Sequence, residues 1–302
     1  SLGGLMDSVE ELRKKLNHPD EAERIYAVHD IMDNNITELL PDLVKKLVND
    51  ESIAVKNAIV EALKNIDISS IYERLFELFS SPDAYLRNAA VEIFASSSDK
   101  EGAVAFLASK LDHANKEVRK LILDSLVGLG TPSAIMAIRA SLYDSSKNVQ
   151  ITAAEYLGKL KDKESLQELI ELFKKDSEPM LRVSILHALR EIKEGFKIKD
   201  IIKMVLPEKK VIEENIIFLP ELMKLVADLG EKEDIIYLLE IIKYDSAYAY
   251  DLIDFLIKIC QRFPELRKLE QIYNIYQYIK KDPTVEEGLK AYLGESVFNG
   301  RN

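Results

Sequence analysis

The sequence predicts an all-α solenoid, on three observations. A basic or polar residue followed by one apolar pattern recurs six times, at Arg24, Lys56, Arg87, Arg119, Gln150 and Arg182, at spacings of 31 or 32 residues. Three, four and seven positions after each of these reference residues the side chains are apolar, which is one stripe of an α-helix. Twelve and eight positions before each reference a second pair of columns marks another amphipathic helix, so each copy is a hairpin, helix A then helix B. Neither helix can hide its stripe alone, and only stacking on neighbouring hairpins closes a core.

The clearest copy is Asp112 to Gly130. The B columns read Ala27, Ile59, Ala90, Ile122, Ala153 and Ile185, then Ile31, Leu63, Phe94, Leu126, Leu157 and Leu189. The A columns read Leu12, Val44, Leu75, Leu107, Ile138 and Ile170, then Leu16, Val48, Phe79, Leu111, Leu142 and finally Lys174. Helices are expected over 7–16 and 20–32, 37–48 and 52–65, 69–79 and 83–95, 100–111 and 116–129, 131–142 and 147–160, and 163–175 and 178–192. Polar turns with capping acids separate A from B. Pro41 falls near the start of its helix, where a missing amide donor does least harm. Gly130 stands where a left-handed residue would stop its helix.

After Gly195 the period fails. A helix over 198–205 ends before Pro207, and the apolar stretch 211–229 carries Pro220, expected to bend or split it. Helices over 234–243 and 248–263, then 265–280 and 285–298, complete irregular repeats seven to nine, the last a polar-faced cap. The domain reading is six regular repeats over 5–194, continuous with an irregular helical segment over 195–302.

This pattern resembles the HEAT repeat family. The resembling residues are Leu40-Pro41-x-Leu43 in an A helix, turn aspartates six before the reference (Asp50, Asp144, Asp176), and the pairs Val118-Arg119, Leu86-Arg87 and Leu181-Arg182. Departures are Glu23, Gln150, and His18, Ser81 and His113 in place of the turn aspartate; these loosen an expected Asp-to-Arg ladder. The resemblance implies a right-handed α-α superhelix with the B helices on its concave side. It does not imply one activity, because the family serves many partners.

Composition narrows the function classes. Net charge is −11, from 52 acids against 41 bases, which disfavours nucleic acid and anionic membranes as partners. A lone cysteine, Cys260 in a helix-like setting, fits a reducing, cytoplasmic compartment. No span or leader pattern is read, and Ser1-Leu2-Gly3-Gly4 reads as a cloning scar. The expectation is no catalytic residues, no cofactor and no metal. Glycines 128 and 130 end a helix where a dinucleotide fingerprint would open one. No His-Glu dipeptide or H-x-x-x-H pair occurs, which sets aside deoxyhypusine hydroxylase, a HEAT-repeat enzyme built on such pairs. The HEAT-like DNA glycosylases need a basic face with aromatics, and tryptophan is absent. His29 and His187 share a repeat position but lie five repeats apart, roughly 40–50 Å at 8–10 Å per helix, too far for one ion. His18 and His113 read as turn residues.

The position five after the reference reads His29, Glu61, Glu92, Asp124, Glu155, His187, about 140° from the reference on the wheel and away from the stripe. Beside it, two after the reference, run Tyr26, Ala58, Ala89, Leu121, Thr152 and Ser184. The eight candidate partner-binding residues are His29, Glu61, Glu92, Asp124, Glu155, His187, Tyr26 and Leu121. With B helices concave, they form an acidic ridge over a smooth floor, suited to a basic or amphipathic segment of a partner protein. The opposing reading is that exposed helix positions favour glutamate with no ligand implied. The arginine column lies beside the stripe and reads as structural. Eight of thirteen tyrosines follow residue 230, read as packing of the last repeats, with Tyr276 in the core. The function expected is a non-enzymatic interaction scaffold; the alternative is an accessory enzyme or subunit such as a bilin-lyase-like protein.

Overall fold

The computed structural model describes residues 2–298; Ser1 of the opening tetrapeptide lies outside them. The described residues form eighteen α-helices with short 3-10 turns and no strand. In order these are α1 Leu2–Lys15, α2 Glu21–Asp33, α3 Leu40–Asn49, α4 Ile53–Lys64, α5 Tyr72–Glu77 and α6 Ala84–Ala95. Then come α7 Lys100–Ser109, α8 Lys116–Leu129, α9 Pro132–Ala140, α10 Lys147–Lys159, α11 Leu166–Lys175 and α12 Pro179–Ile192. The last six are α13 Ile198–Val205, α14 Leu219–Leu229, α15 Lys232–Ile241, α16 Ala249–Arg262, α17 Glu270–Lys281 and α18 Glu287–Val297. Odd helices are the A helices and even ones the B helices. The fold class is all-α, a solenoid of helical hairpins.

Packing divides the chain into two compact units, 1–153 and 154–302. In the first, the B helices α2, α4, α6 and α8 lie side by side in order. Their columns form the core: Ala27, Ile59, Ala90 and Ile122 are fully buried, and so are Ile31, Leu63, Phe94 and Leu126 to within 1%. Each A-to-B turn uses the same device. The residue six before the reference accepts the backbone N–H two positions on, through a side-chain oxygen in Asp50, Ser81 and Asp144 and through Nδ1 in His18 and His113. The two histidines therefore do a turn aspartate's work. A second acceptor follows as the helix cap, as with Asp20, Ser52, Asp83 and Asn115.

The arginine ladder forms where both partners exist. Arg24 reaches the Asp50 carboxylate of the next turn at 3.0 and 3.2 Å, and Arg119 reaches Asp144 at 2.9 Å through two nitrogens. Each also donates to carbonyls of its own turn. Arg87, whose next turn offers His113, donates only to the Ser81 carbonyl of its own turn among the bonds described.

Helix phase differs from expectation at one column. Val48 is 41% exposed while Leu47 beside it is fully buried. The reason is winding: α3 stays α-helical to its end, so its stripe runs Leu40, Leu43, Val44, Leu47. The A helices of the next and fifth repeats tighten to 3-10 over Leu78–Ser80 and Ser141–Tyr143, and three residues per turn carries Phe79 and Leu142 into the core.

The B helices pack closer than the A helices. A Cβ on Gly128 of α8 would lie 2.6 Å from the Ala95 Cβ of α6, a separation that only glycine permits. Gly130 ends α8 at φ 63°, as its position predicts.

In the second unit, α12, α14, α16 and α18 form the B layer. Gly158 of α10 meets α12 the same way, its Cβ position 2.7 Å from the Ala188 Cα. Pro220 does split its stretch: a 3-10 helix over Glu213–Phe218 hands over to α14, with the proline in the first α turn. Of the eight late tyrosines only Tyr248 is buried, and Tyr250, Tyr273, Tyr278 and Tyr292 are exposed, so the packing reading holds for part of the set. Tyr244 donates to Asp282, Tyr248 to the Lys243 carbonyl, and Tyr250 to the Thr284 carbonyl at 3.2 Å, and Tyr244 stacks on Tyr278. Tyr276 is only half-buried, since its ring lies on Phe298 near the chain end, 4.6 Å between centroids. Cys260 is buried, and burial pushes its thiol up to about 11. No described helix is long and apolar enough to cross a membrane.

Candidate functional site

In the first unit the row five after each reference runs across adjacent B helices: His29 on α2, Glu61 on α4, Glu92 on α6, Asp124 on α8. The first three are exposed and Asp124 is half-buried. The geometry follows from the core: with the positions at three, four and seven packed inward, the position at five must turn outward. Glu61 is paired with Lys64 of its own helix at 3.4 Å. The companion row gives the face its relief. Ala58 and Leu121 are half-buried and Ala89 buried, whereas Tyr26, at 62% exposure, projects at one end. The result is a shallow face with a small-residue floor, an acidic margin and one aromatic.

In the second unit Glu155 is exposed and Ser184 buried; Thr152, near the end of the first unit, is buried too. His187 is tied into a network. Its Nε2 lies 2.6 Å from Glu191, and its Nδ1 lies 3.1 Å from Arg190 and 3.6 Å from Glu221. Arg190 also approaches Glu221 and Asp228, at 3.4 and 3.5 Å, and Lys258 closes on Asp228 at 2.6 Å. Those cations are thus spent internally.

Beside this network the B face opens into a cavity of about 450 Å³. Met223, Ala227 and Phe255 line it together with Asp251, Asp254 and Tyr292. Among the described residues neither aspartate has an ion-pair partner. Burial raises the Asp251 pKa; Lys224 opposes this and Asp254 adds to it. Arg190, Lys224 and Lys258 also line it, so the two carboxylates share the apolar cavity with three cations. The sequence reading missed these residues because the columns lose register after Gly195, leaving no repeat position to compare. The one legible signal was the i, i+3 pair of aspartates in Asp251-Leu252-Ile253-Asp254.

No group of three His, Cys, Asp or Glu among the described residues is placed to hold a metal ion. Cys260 and the turn histidines have structural surroundings, described above.

The structure of the chain is similar to the crystal structure of Kap121p bound to Nup53p, with TM-score 0.50 and 14% identity, over 95% of this chain and 36% of that one. The chain therefore spans about a third of that protein's length, and the likeness is one of fold. An engineered protein of known structure also matches, with TM-score 0.31 and 18% identity, over 84% of this chain and 97% of that one. No curated protein sequence matches the chain. A family model described as HEAT repeats matches residues 9–95 and 104–190, more than half of the sequence. With the repeating hairpins, the turn acceptors and the Arg-to-Asp rungs already in view, that match places the chain in the HEAT repeat family.

Proposed function

We propose that this protein is a non-enzymatic scaffold that holds a partner protein on its B-helix faces, by a basic or amphipathic segment. The observation that carries the reading is the exposed row His29, Glu61, Glu92 over a floor of small side chains. Such a surface offers carboxylates to a cationic segment and lets a backbone approach closely. Kap121p, bound to Nup53p in its crystal structure, is a fold neighbour that holds a protein partner.

The test is the triple reversal E61K/E92K/E155K. Immobilised wild-type protein should retain partners that elute with rising salt, as screened ion pairs do. The folded variant should lose them. If the variant keeps its helicity and retains the same partners with unchanged salt sensitivity, the reading is wrong.

A further inference from the structure

We propose that the groove between α11 and α13, on the A-helix side of the second unit, docks an acidic amphipathic segment of a partner protein. This surface is separate from the B faces, and its chemistry is the opposite.

Two departures in the sixth repeat coincide there. The A columns that are buried in the first five repeats at Leu12, Val44, Leu75, Leu107 and Ile138 continue as a half-buried Ile170. One turn on, a column with buried Leu16, Phe79 and Leu142, half-buried Leu111 and exposed Val48 ends in an exposed Lys174. The stripe of α11 is itself buried through Leu166, Leu169 and Phe173, and beside it Ile170 and Lys174 border an opening next to α13, which has only eight residues and follows an irregular bend. That bend turns at Gly195, φ 96°, where a Cβ would lie 2.5 Å from the Leu166 side chain. The edge of the opening is therefore set by packing.

The opening has a volume of about 570 Å³. Ile170, Phe196 and Met204 supply apolar surface, and Lys174, Lys197 and Lys203 surround it, with Asp200 as the one acid in the lining. All three lysines are exposed, and among the described residues none has a carboxylate within ion-pair distance. A chain of net charge −11 repels acidic partners over most of its surface, so a basic opening is where such a partner can settle. The apolar floor selects among anions. A phosphate or lipid headgroup would engage the lysines alone, whereas a segment interleaving carboxylates with apolar side chains would use both. Helix α11 has ten residues, about 15 Å at 1.5 Å per residue, which matches three turns of a docked helix.

The probe is a fluorescein-labelled dodecapeptide with glutamates on one helical face and leucines on the other, titrated into the full chain by anisotropy. A scrambled peptide of the same composition is the control. The amphipathic peptide should bind at least tenfold tighter than the scramble. The K174E/K197E/K203E variant should bind it at least tenfold more weakly, while K175E, outside the groove, and E61K/E92K/E155K change it less than twofold. Loss of binding in the ridge variant but not in the lysine variant would place the peptide on the B face and overturn the proposal. Equal affinity for the scramble, no saturable binding, or equal competition by phosphatidylserine vesicles would also overturn it. Self-association of wild type that the lysine variant loses would make a second copy the occupant, with the same consequence. Circular dichroism checks that each variant is folded; if the glutamate variant is not, the three Lys→Gln changes replace it.

Discussion

Asp50 shows how one side chain can join two repeats. Burial pushes its carboxyl up, but the Ser52 amide, the Arg24 guanidinium and Lys46 outweigh burial and hold it below the ordinary carboxylate range. A pKa lower in the folded than in the unfolded chain, where an aspartate titrates near ~3.9, stabilises the fold at neutral pH. That contribution is lost as pH falls through the folded value. Denaturant titrations of wild type and Asp50→Asn should therefore differ at pH 6 and converge only below about pH 4. At the sister rung, and among the described residues, Arg119→Ala removes the only cation from the nearly buried Asp144, which keeps just the Ser146 amide, and takes the guanidinium from the His113 carbonyl. We expect a loss on the order of 3 kcal/mol in urea unfolding. The single thiol offers a simpler check. Cys260, buried and with its pKa pushed up to about 11, should react with a thiol reagent at pH 8 only when the protein unfolds.

At the scale of the element, what decides is helix phase and how closely helices approach. Leu47→Ala should cost about 2–5 kcal/mol and Val48→Glu less than about 0.5, although both residues are aliphatic neighbours. Equal costs would put the stripe of α3 elsewhere. Gly128→Val should destabilise by about 1–3 kcal/mol even though glycine is a poor helix former, because the new side chain must enter the Ala95 contact. Thermal melts of the three variants against wild type read these costs directly. These elements also mark what was legible in the sequence. Helix order, turn positions and the B stripe could be read because burial imposes a period of 3.6 and repetition supplies six independent copies. The Val48 phase could not, since only the choice between α and 3-10 winding at a helix end decides it. The close approach at Gly128 was equally hidden: it depends on which residue of a neighbouring helix lies opposite.

Over the whole molecule, repetition was readable and irregularity was not. The row His29, Glu61, Glu92 was found because the repeat aligns it, and its exposure follows from the same stripe that fills the core. The cavity at Asp251 and Asp254 and the groove at Lys174, Lys197 and Lys203 arise where the period changes or fails, so no column announced them. Lys174 was visible as the one charged residue in its column, but only the structure sets it beside Lys197 and Lys203 at one opening. Under the two proposals the B faces take a cationic segment and the α11–α13 groove an acidic one. The first proposal requires a partner to sit on the B face. The most direct measurement places a photo-crosslinking amino acid at Glu61 or Glu92 on the B face and, separately, at Glu73 or Glu77, exposed on α5. Partners of the E61K/E92K/E155K-sensitive class should crosslink from positions 61 and 92 and not from 73 or 77; crosslinking from 73 or 77 alone would contradict the account.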